Sequence, residues 1–461
     1  MEYRLSSEAF SNYFLNNDSF THKQGEFFKV FPFVSSPNVD FSDVEKIVGQ
    51  VLCQIQDIEP KVKTEEDIIQ SIISETNIEI GAEEIFQEVI KQLFFDSNGS
   101  LKPRNIVMME QIICNEANER KLAKYLADVL GSKSVLQDSI ARSKNKMEKT
   151  GNVLENLLLT KLETQHSDIH ENKTYFRVVE GLRDRFEKDF EYILSSENRT
   201  REYLIKLFEV YYFSYTSQTM LLLDRKFDGN RLENTPLFFS LDWEATKIQG
   251  KYISEGWNIL QESIRESLAH AVILEMLNVD DSNPVKMDYV AIRDYIKNNP
   301  DEERRLREKL YEIFNLYKNS IKDCQILEFT SINVDTNEDD VEDIINKLYE
   351  LIRIQFENTP RNAAYGRYAS KFEDYCTRFL KNRGRNGYVL NITEDTLIFL
   401  TKVSIKDKEK MKLSDVFKEF EYRGFFFEKD VREQIADYYE KLNLIEKKSD
   451  SGEAKYVKRI L

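Results

Sequence analysis

Between residues 175 and 360, apolar residues recur every three or four positions, the spacing that lines one face of a helix. Phe176, Val179, Leu182, Phe186, Phe190 and Ile193 share such a face, and Asp184, Lys188 and Glu191 fall outside it. The run 203–223 is so rich in Tyr, Phe and Leu that no polar side remains, which predicts a helix enclosed by its neighbours. After Gly256, the residues Trp257, Leu260, Ile264, Leu268 and Val272 follow turn by turn until Asn278-Val279-Asp280-Asp281-Ser282-Asn283-Pro284 ends the pattern. A further helix is predicted over 338–356, with Val341, Ile344, Ile345, Leu348, Leu351 and Ile352 on one side. Its acids crowd the first turns while Lys347 and Arg353 come later, as the helix dipole favours.

The chain divides by pattern into five segments. Residues 1–131 form an N-terminal helical domain punctuated by Pro37, Pro60 and Pro103; in it Ser42 and Glu45 read as a capping box ahead of Val44, Ile47, Val48, Val51 and Ile55. Another helix is predicted from Glu83, with Ile85, Val89, Leu93 and Phe94 on one side. Residues 132–172 are polar and read as a connector, 173–359 form the central bundle, and 360–390 a basic helix and loop. In 391–461, Leu397, Ile398 and Leu400 mark a first short helix, and Leu413, Val416, Phe417 and Phe420 a second. Val431, Ile435, Tyr438, Tyr439 and Leu442 mark a third, and alternating runs on either side of Ser449-Asp450-Ser451-Gly452-Glu453 predict a terminal hairpin. Three helices and a hairpin predict a winged-helix-like module.

Only 15 glycines and 8 prolines in 461 residues favour long helices, so the fold class is mainly α: a multi-helix body with that C-terminal module. Runs such as 219–223 and 269–274 fall far short of the roughly 20 apolar residues of a membrane span. The start, Met1-Glu2-Tyr3-Arg4-Leu5-Ser6, lacks a basic segment followed by an apolar block, so no membrane partner and a cytoplasmic location are expected. Cys53, Cys114, Cys324 and Cys376 are far apart and form no C-x-x-C pair, which points to reduced, buried thiols.

Charge changes the picture at one end. Residues 360–461 hold 22 Lys and Arg against 17 Asp and Glu, while 1–359 hold 43 against 64. A positive end on a negative molecule suits a polyanion, and double-stranded DNA is the expected partner. In 360–390, Arg361, Arg367, Lys371, Arg378, Lys381, Arg383 and Arg385 alternate with Tyr365, Tyr368, Phe372, Tyr375, Phe379 and Tyr388, residue types that contact phosphates and stack on bases. The loop Lys381-Asn382-Arg383-Gly384-Arg385-Asn386-Gly387 is expected to be exposed and able to approach a nucleic-acid backbone. The third helix of the last module carries Glu428, Asp430, Glu433, Asp437 and Glu440 against Lys429, Arg432 and Lys441, so phosphates repel it. Contact through the wing is expected instead, by Lys447, Lys448, Lys455, Lys458 and Arg459; docking of a protein is the equal alternative.

Catalytic motifs are scarce. There is neither G-x-x-x-x-G-K-[ST] nor G-x-G-x-x-G, and Gln249-Gly250-Lys251-Tyr252 is a fragment, so no nucleotide cofactor is expected. His166 and His170 have i,i+4 spacing but lack the glutamate of a metalloprotease motif and read as a surface pair. Asp335, Asn337 and Asp339 begin like a calcium loop, yet Asp340 stands where glycine is needed and Asn346 where glutamate is needed. Asp40, Glu59 and Lys61 have the residue types of a nuclease site without its strand pattern. No G-x-S-x-G occurs.

Two blocks carry a family resemblance. The run from Phe379-Leu380-Lys381-Asn382-Arg383-Gly384-Arg385-Asn386-Gly387-Tyr388-Val389-Leu390-Asn391, through Leu397-Ile398-Phe399-Leu400-Thr401-Lys402 and Arg423-Gly424 to Lys455-Tyr456-Val457, resembles the C-terminal part of the DptG (DndG) family. Leu237-Phe238-Phe239-Ser240-Leu241-Asp242-Trp243-Glu244, Gly256-Trp257, His270 and Leu274-Glu275-Met276-Leu277-Asn278 resemble its middle segment. The resemblance implies a subunit of a bacterial DNA phosphorothioation-dependent restriction system, working with DptF-like and DptH-like subunits against DNA lacking the modification. It implies no catalytic residue in this chain. A metal-dependent nuclease with a divergent site and a winged-helix transcription regulator are the alternatives.

Overall fold

The computed structural model describes residues 3–17, 19–34, 44–61, 63–150, 153–167, 174–195, 200–244, 250–280, 285–447 and 455–460. In these residues the chain is mainly helical with a few short strands. The helix Thr200–Arg225 is the axis of the body. Every residue from Val210 to Leu223 is buried, as expected of a helix with no polar side. Around it pack the helices Val44–Gln56, Arg183–Ser195 and Trp257–Leu277. Trp257–Leu277 in turn meets Val341–Asn358, which lies against Pro300–Ser320. The acids before Val341 cap that helix: the Asp340 side chain accepts from the Asp343 amide, and Asp343 accepts from that of Asp340. The Asp335 amide donates to Asp339, whose other partner is Lys347, so these acids serve a turn and a cap.

The polar stretch after residue 131 is a helix, Lys133–Thr150, packed on Arg183–Ser195. Its buried stripe is narrow, made of Leu136, Ile140 and the small Ser139 and Ser143, which is why the pattern reads as a connector. Ser42, half of the expected capping box, lies outside the described residues. Glu275 is fully buried in Trp257–Leu277 and accepts hydrogen bonds from the backbone amides of Gly25, Glu26, Phe27 and Phe28 and from the Tyr13 hydroxyl. One carboxylate thereby fastens the N-terminal segment to the body.

A single hydrophobic cluster extends from Tyr3 to Val457 through all five sequence segments. Packing does not pause at Pro360: Tyr365 lies 5.3 Å from Phe356, ring to ring, and the buried Phe372 meets Tyr212 at 5.4 Å. A separate small cluster joins Glu65–Glu75, Glu83–Phe94 and Val153–Leu159 through Ile69, Ile72, Ile90, Phe94 and Leu158.

The last segment runs helix Glu394–Ile405, strand Lys410–Lys412, helices Leu413–Glu421 and Lys429–Lys441, then strands Ile445–Lys447 and Lys455–Lys458. The final strand lies between the other two, antiparallel to both. The three predicted helices and the hairpin pairing are present; the strand Lys410–Lys412 is too short for its alternation to register. A second three-stranded sheet pairs Ser240–Leu241 in parallel with Tyr388–Ile392, which is antiparallel to Leu380–Asn382. The amides of Phe239 and Phe426 donate to the carbonyls of Phe426 and Leu237, joining 237–239 to the terminal module.

Candidate nucleic-acid interface

The terminal sheet has two unlike faces, fixed by its register. Met411, Val457 and Ile445 are cross-strand partners, and Met411 and Val457 are buried on the core side. Side chains alternate along a strand, so Lys410, Lys412, Tyr456, Lys458 and Glu446 share the outer face. Lys410 forms an ion pair with Glu446 at 2.5 Å and lies 5.7 Å from the centre of the Tyr456 ring. Its hydrogen bond to Glu446 raises the Lys410 pKa above the usual lysine value. Lys412 is exposed, and the Lys458 ammonium donates to the Asn443 carbonyl at 3.3 Å. Among the described residues, three lysines, one acid and one aromatic ring thus share this face.

The neighbouring helix Lys429–Lys441 turns the opposite charge outward. Asp430, Glu433, Asp437 and Glu440 are exposed, while its apolar side, Val431, Ile435 and Tyr439, is buried. Arg432 is drawn to Glu421 at 2.5 Å.

The cations singled out in the sequence are spread over several elements. Arg361 pairs with Asp323 at 3.2 Å and Arg378 with Glu209 at 2.6 Å, both on the body. Arg367 is exposed on the short helix Asn362–Tyr368. Lys381 reaches the Asp242 carbonyl and lies 3.6 Å from its carboxylate. Lys455 pairs with Glu440 at 3.0 Å, away from the outer sheet face. For Lys447 the strand alone is described, and Lys448 lies outside the described residues.

Arg383 departs from the expected exposed loop. It is 6% exposed, and its guanidinium donates to the carbonyls of Glu244 at 2.6 Å and Leu241 at 2.5 Å and to the Ser240 hydroxyl at 3.3 Å. Asn391 adds a 2.6 Å bond to Asp242 from the adjacent strand. Arg383 is therefore a rivet holding 240–244 to the hairpin. At the tip, Gly384 and Gly387 take φ of +64° and +68°, the left-handed region that glycine enters at little cost, and Arg385 is left exposed between them.

Lys410, Lys412 and Tyr456 carry no site signal in the sequence taken alone. The nearest to one is Lys-Met-Lys, two cations flanking a buried residue, but three residues do not establish a strand without its partner. His166 lies in the strand Thr164–His166, not in a helix, and His170 is outside the described residues, as is Asp40. Glu59 accepts from the Ser167 hydroxyl, and Lys61 pairs with Glu163. Among the described residues, no three His, Cys, Asp or Glu side chains are grouped to hold a metal, and no helix is long and apolar enough to cross a membrane. No protein-family model matches the chain, and no curated protein matches it.

Proposed function

We propose that this chain is a non-catalytic DNA-binding and scaffold subunit of a phosphorothioation-dependent restriction complex that acts on DNA lacking the modification. The observation that carries the DNA-binding part is the outer sheet face, where Lys410, Lys412 and Lys458 share a side with Tyr456 and Glu446 is the one acid among the described residues. Lysines on a β-surface suit phosphates, and the ring suits a sugar or an exposed base. The restriction assignment is supported by the two blocks that resemble DptG, which are adjacent in space through the pairing of Ser240–Leu241 with Tyr388–Ile392.

Residues 391–461 are, in this reading, a winged helix that uses its sheet and wing in place of its acidic third helix. Its element order and the final strand between two others support this. Contacts of this kind position a protein on a duplex without reading bases. The test is copurification of the full chain with DptF-like and DptH-like subunits from an operon that encodes all three, with duplex binding measured for chain and complex. Binding to the duplex without stable association with those subunits would favour a transcription regulator, and metal-dependent cleavage by the chain alone would favour a nuclease.

A further inference from the structure

The small cluster near the N-terminus bears a surface of opposite character to the terminal sheet. Its helix Glu83–Phe94 turns Ile90 and Phe94 inward. On its outer side Ile85 and Val89, one turn apart, are 69% and 39% exposed, and Ile80, in the turn leading into the helix, is 104% exposed. Three branched apolar side chains facing water within ten residues, two of them one turn apart on the same helix, are unlike the scattered single exposures of an ordinary surface.

The rim is acidic. Residues 65–96 contain nine Asp and Glu against Lys91 alone. Lys91 is drawn to Glu65 at 3.4 Å, and among the described residues Glu79, Glu83, Glu84 and Glu88 have no basic partner. Phosphates, whether of nucleic acid or of an anionic membrane, are repelled here, while lysine and arginine are attracted. Ile85 and Val89 one turn apart, with Ile80 ahead of them and exposed glutamates along the same segment, are complementary to a helix with apolar residues along one face and basic residues beside them.

We propose that Ile80, Ile85 and Val89 form a docking strip for a basic amphipathic helix of a partner protein, with Glu79, Glu83, Glu84 and Glu88 receiving its cations. The proposal builds on the reading of the chain as a subunit. It assigns the partner's side of that role to a surface separate from the basic sheet.

The probe is a synthetic amphipathic peptide of about 18 residues, leucines on one face and lysines and arginines elsewhere. It is compared with a scrambled peptide of the same composition, using fluorescence anisotropy on the full chain. The chain is expected to bind the amphipathic peptide about tenfold tighter than the scramble. Ile80→Ser with Ile85→Ser and Val89→Ser is expected to remove that difference, and Glu83→Gln with Glu84→Gln and Glu88→Gln to weaken binding and flatten its salt dependence. All six side chains lie on the surface, so the melting curves are expected to match the wild type. Equal affinity for both peptides, or undiminished binding by the folded serine variant, would overturn the proposal. Self-association abolished by the serine variant would also overturn it, by making a second copy the occupant. Duplex binding by the same variant, expected to be unchanged, separates this failure from that of the DNA-binding reading.

Discussion

Asp189 and Arg423, 234 positions apart, form a two-pronged ion pair at 2.7 Å on each side, and neither is more than 1% exposed. Lys406 adds a third bond to the carboxylate at 2.8 Å and the Tyr211 hydroxyl a fourth at 2.8 Å. Arg423 also donates to the Glu419 carboxylate at 2.8 Å. The terminal module is thus locked to the body by a buried charge whose removal takes the carboxylate from Lys406 and leaves Arg423 with the Glu419 carboxylate. Breaking a buried pair from one side typically costs about 3–5 kcal/mol. Asp189→Asn is expected to lower stability by about that amount in urea unfolding, while Glu421→Gln, at a half-exposed pair, is expected to cost under about 1 kcal/mol.

The same pair sets an acid limit. Burial opposes ionisation of Asp189, but Arg423 and Lys406 outweigh it and hold the carboxyl below its usual range. A folded pKa below the unfolded one gives stability that is present above the unfolded value, near 3.8, and is lost as pH falls through the folded value. Unfolding measured from pH 6 downward is expected to show the wild-type advantage over Asp189→Asn intact to about pH 4 and shrinking below it.

His22 acts in the opposite range of pH. Burial, reinforced by the Arg361 charge, lowers its pKa to about 3, and its ring packs between Phe20 and Phe356. The unfolded chain takes up a proton near 6.5 while the folded chain does not, so stability falls as pH drops from 6.5 toward 3. His22→Phe is expected to lose less stability across that interval than the wild type, read from melting temperatures at pH 7 and pH 5.

The two arginines of the hairpin loop are expected to part company. Arg383→Ala strands the carbonyls of Glu244 and Leu241 and is expected to cost about 1–3 kcal/mol in urea unfolding. Arg385→Ala, at an exposed tip, is expected to change stability by less than about 0.5 kcal/mol. An equal effect of the two would contradict the assignment of Arg383 as a rivet.

The long helices were legible because their apolar signal, a period in one and an unbroken run in the other, persists over many turns. Thr200–Arg225 and Trp257–Leu277 follow the spacing of Tyr, Phe, Leu and Trp, and Asn278 ends the second where the stop pattern falls. The candidate site was less legible, because its geometry comes from partners far along the chain. Arg383 looks like one more solvated cation until the carbonyl of Glu244, 139 residues earlier, comes to lie beside it. Lys410 and Lys412 acquire a common face only once Lys458 and Tyr456 pair with them. The helix Lys133–Thr150 is faint in the sequence for a related reason: Leu136 and Ile140 supply little apolar signal, and serine completes the buried stripe.

The outer sheet face is the centre of the account, and salt dependence tests it most directly. Affinity of the full chain for a duplex of arbitrary sequence would be measured at several salt concentrations, for the wild type and for Lys410→Ala with Lys412→Ala and Lys458→Ala. The account predicts binding that weakens with salt, a slope of log affinity against log salt reduced by about three units in the variant, and a similar reduction on unrelated sequences. An unchanged slope in a variant that melts like the wild type, or no duplex binding by the wild type at low salt, would contradict it.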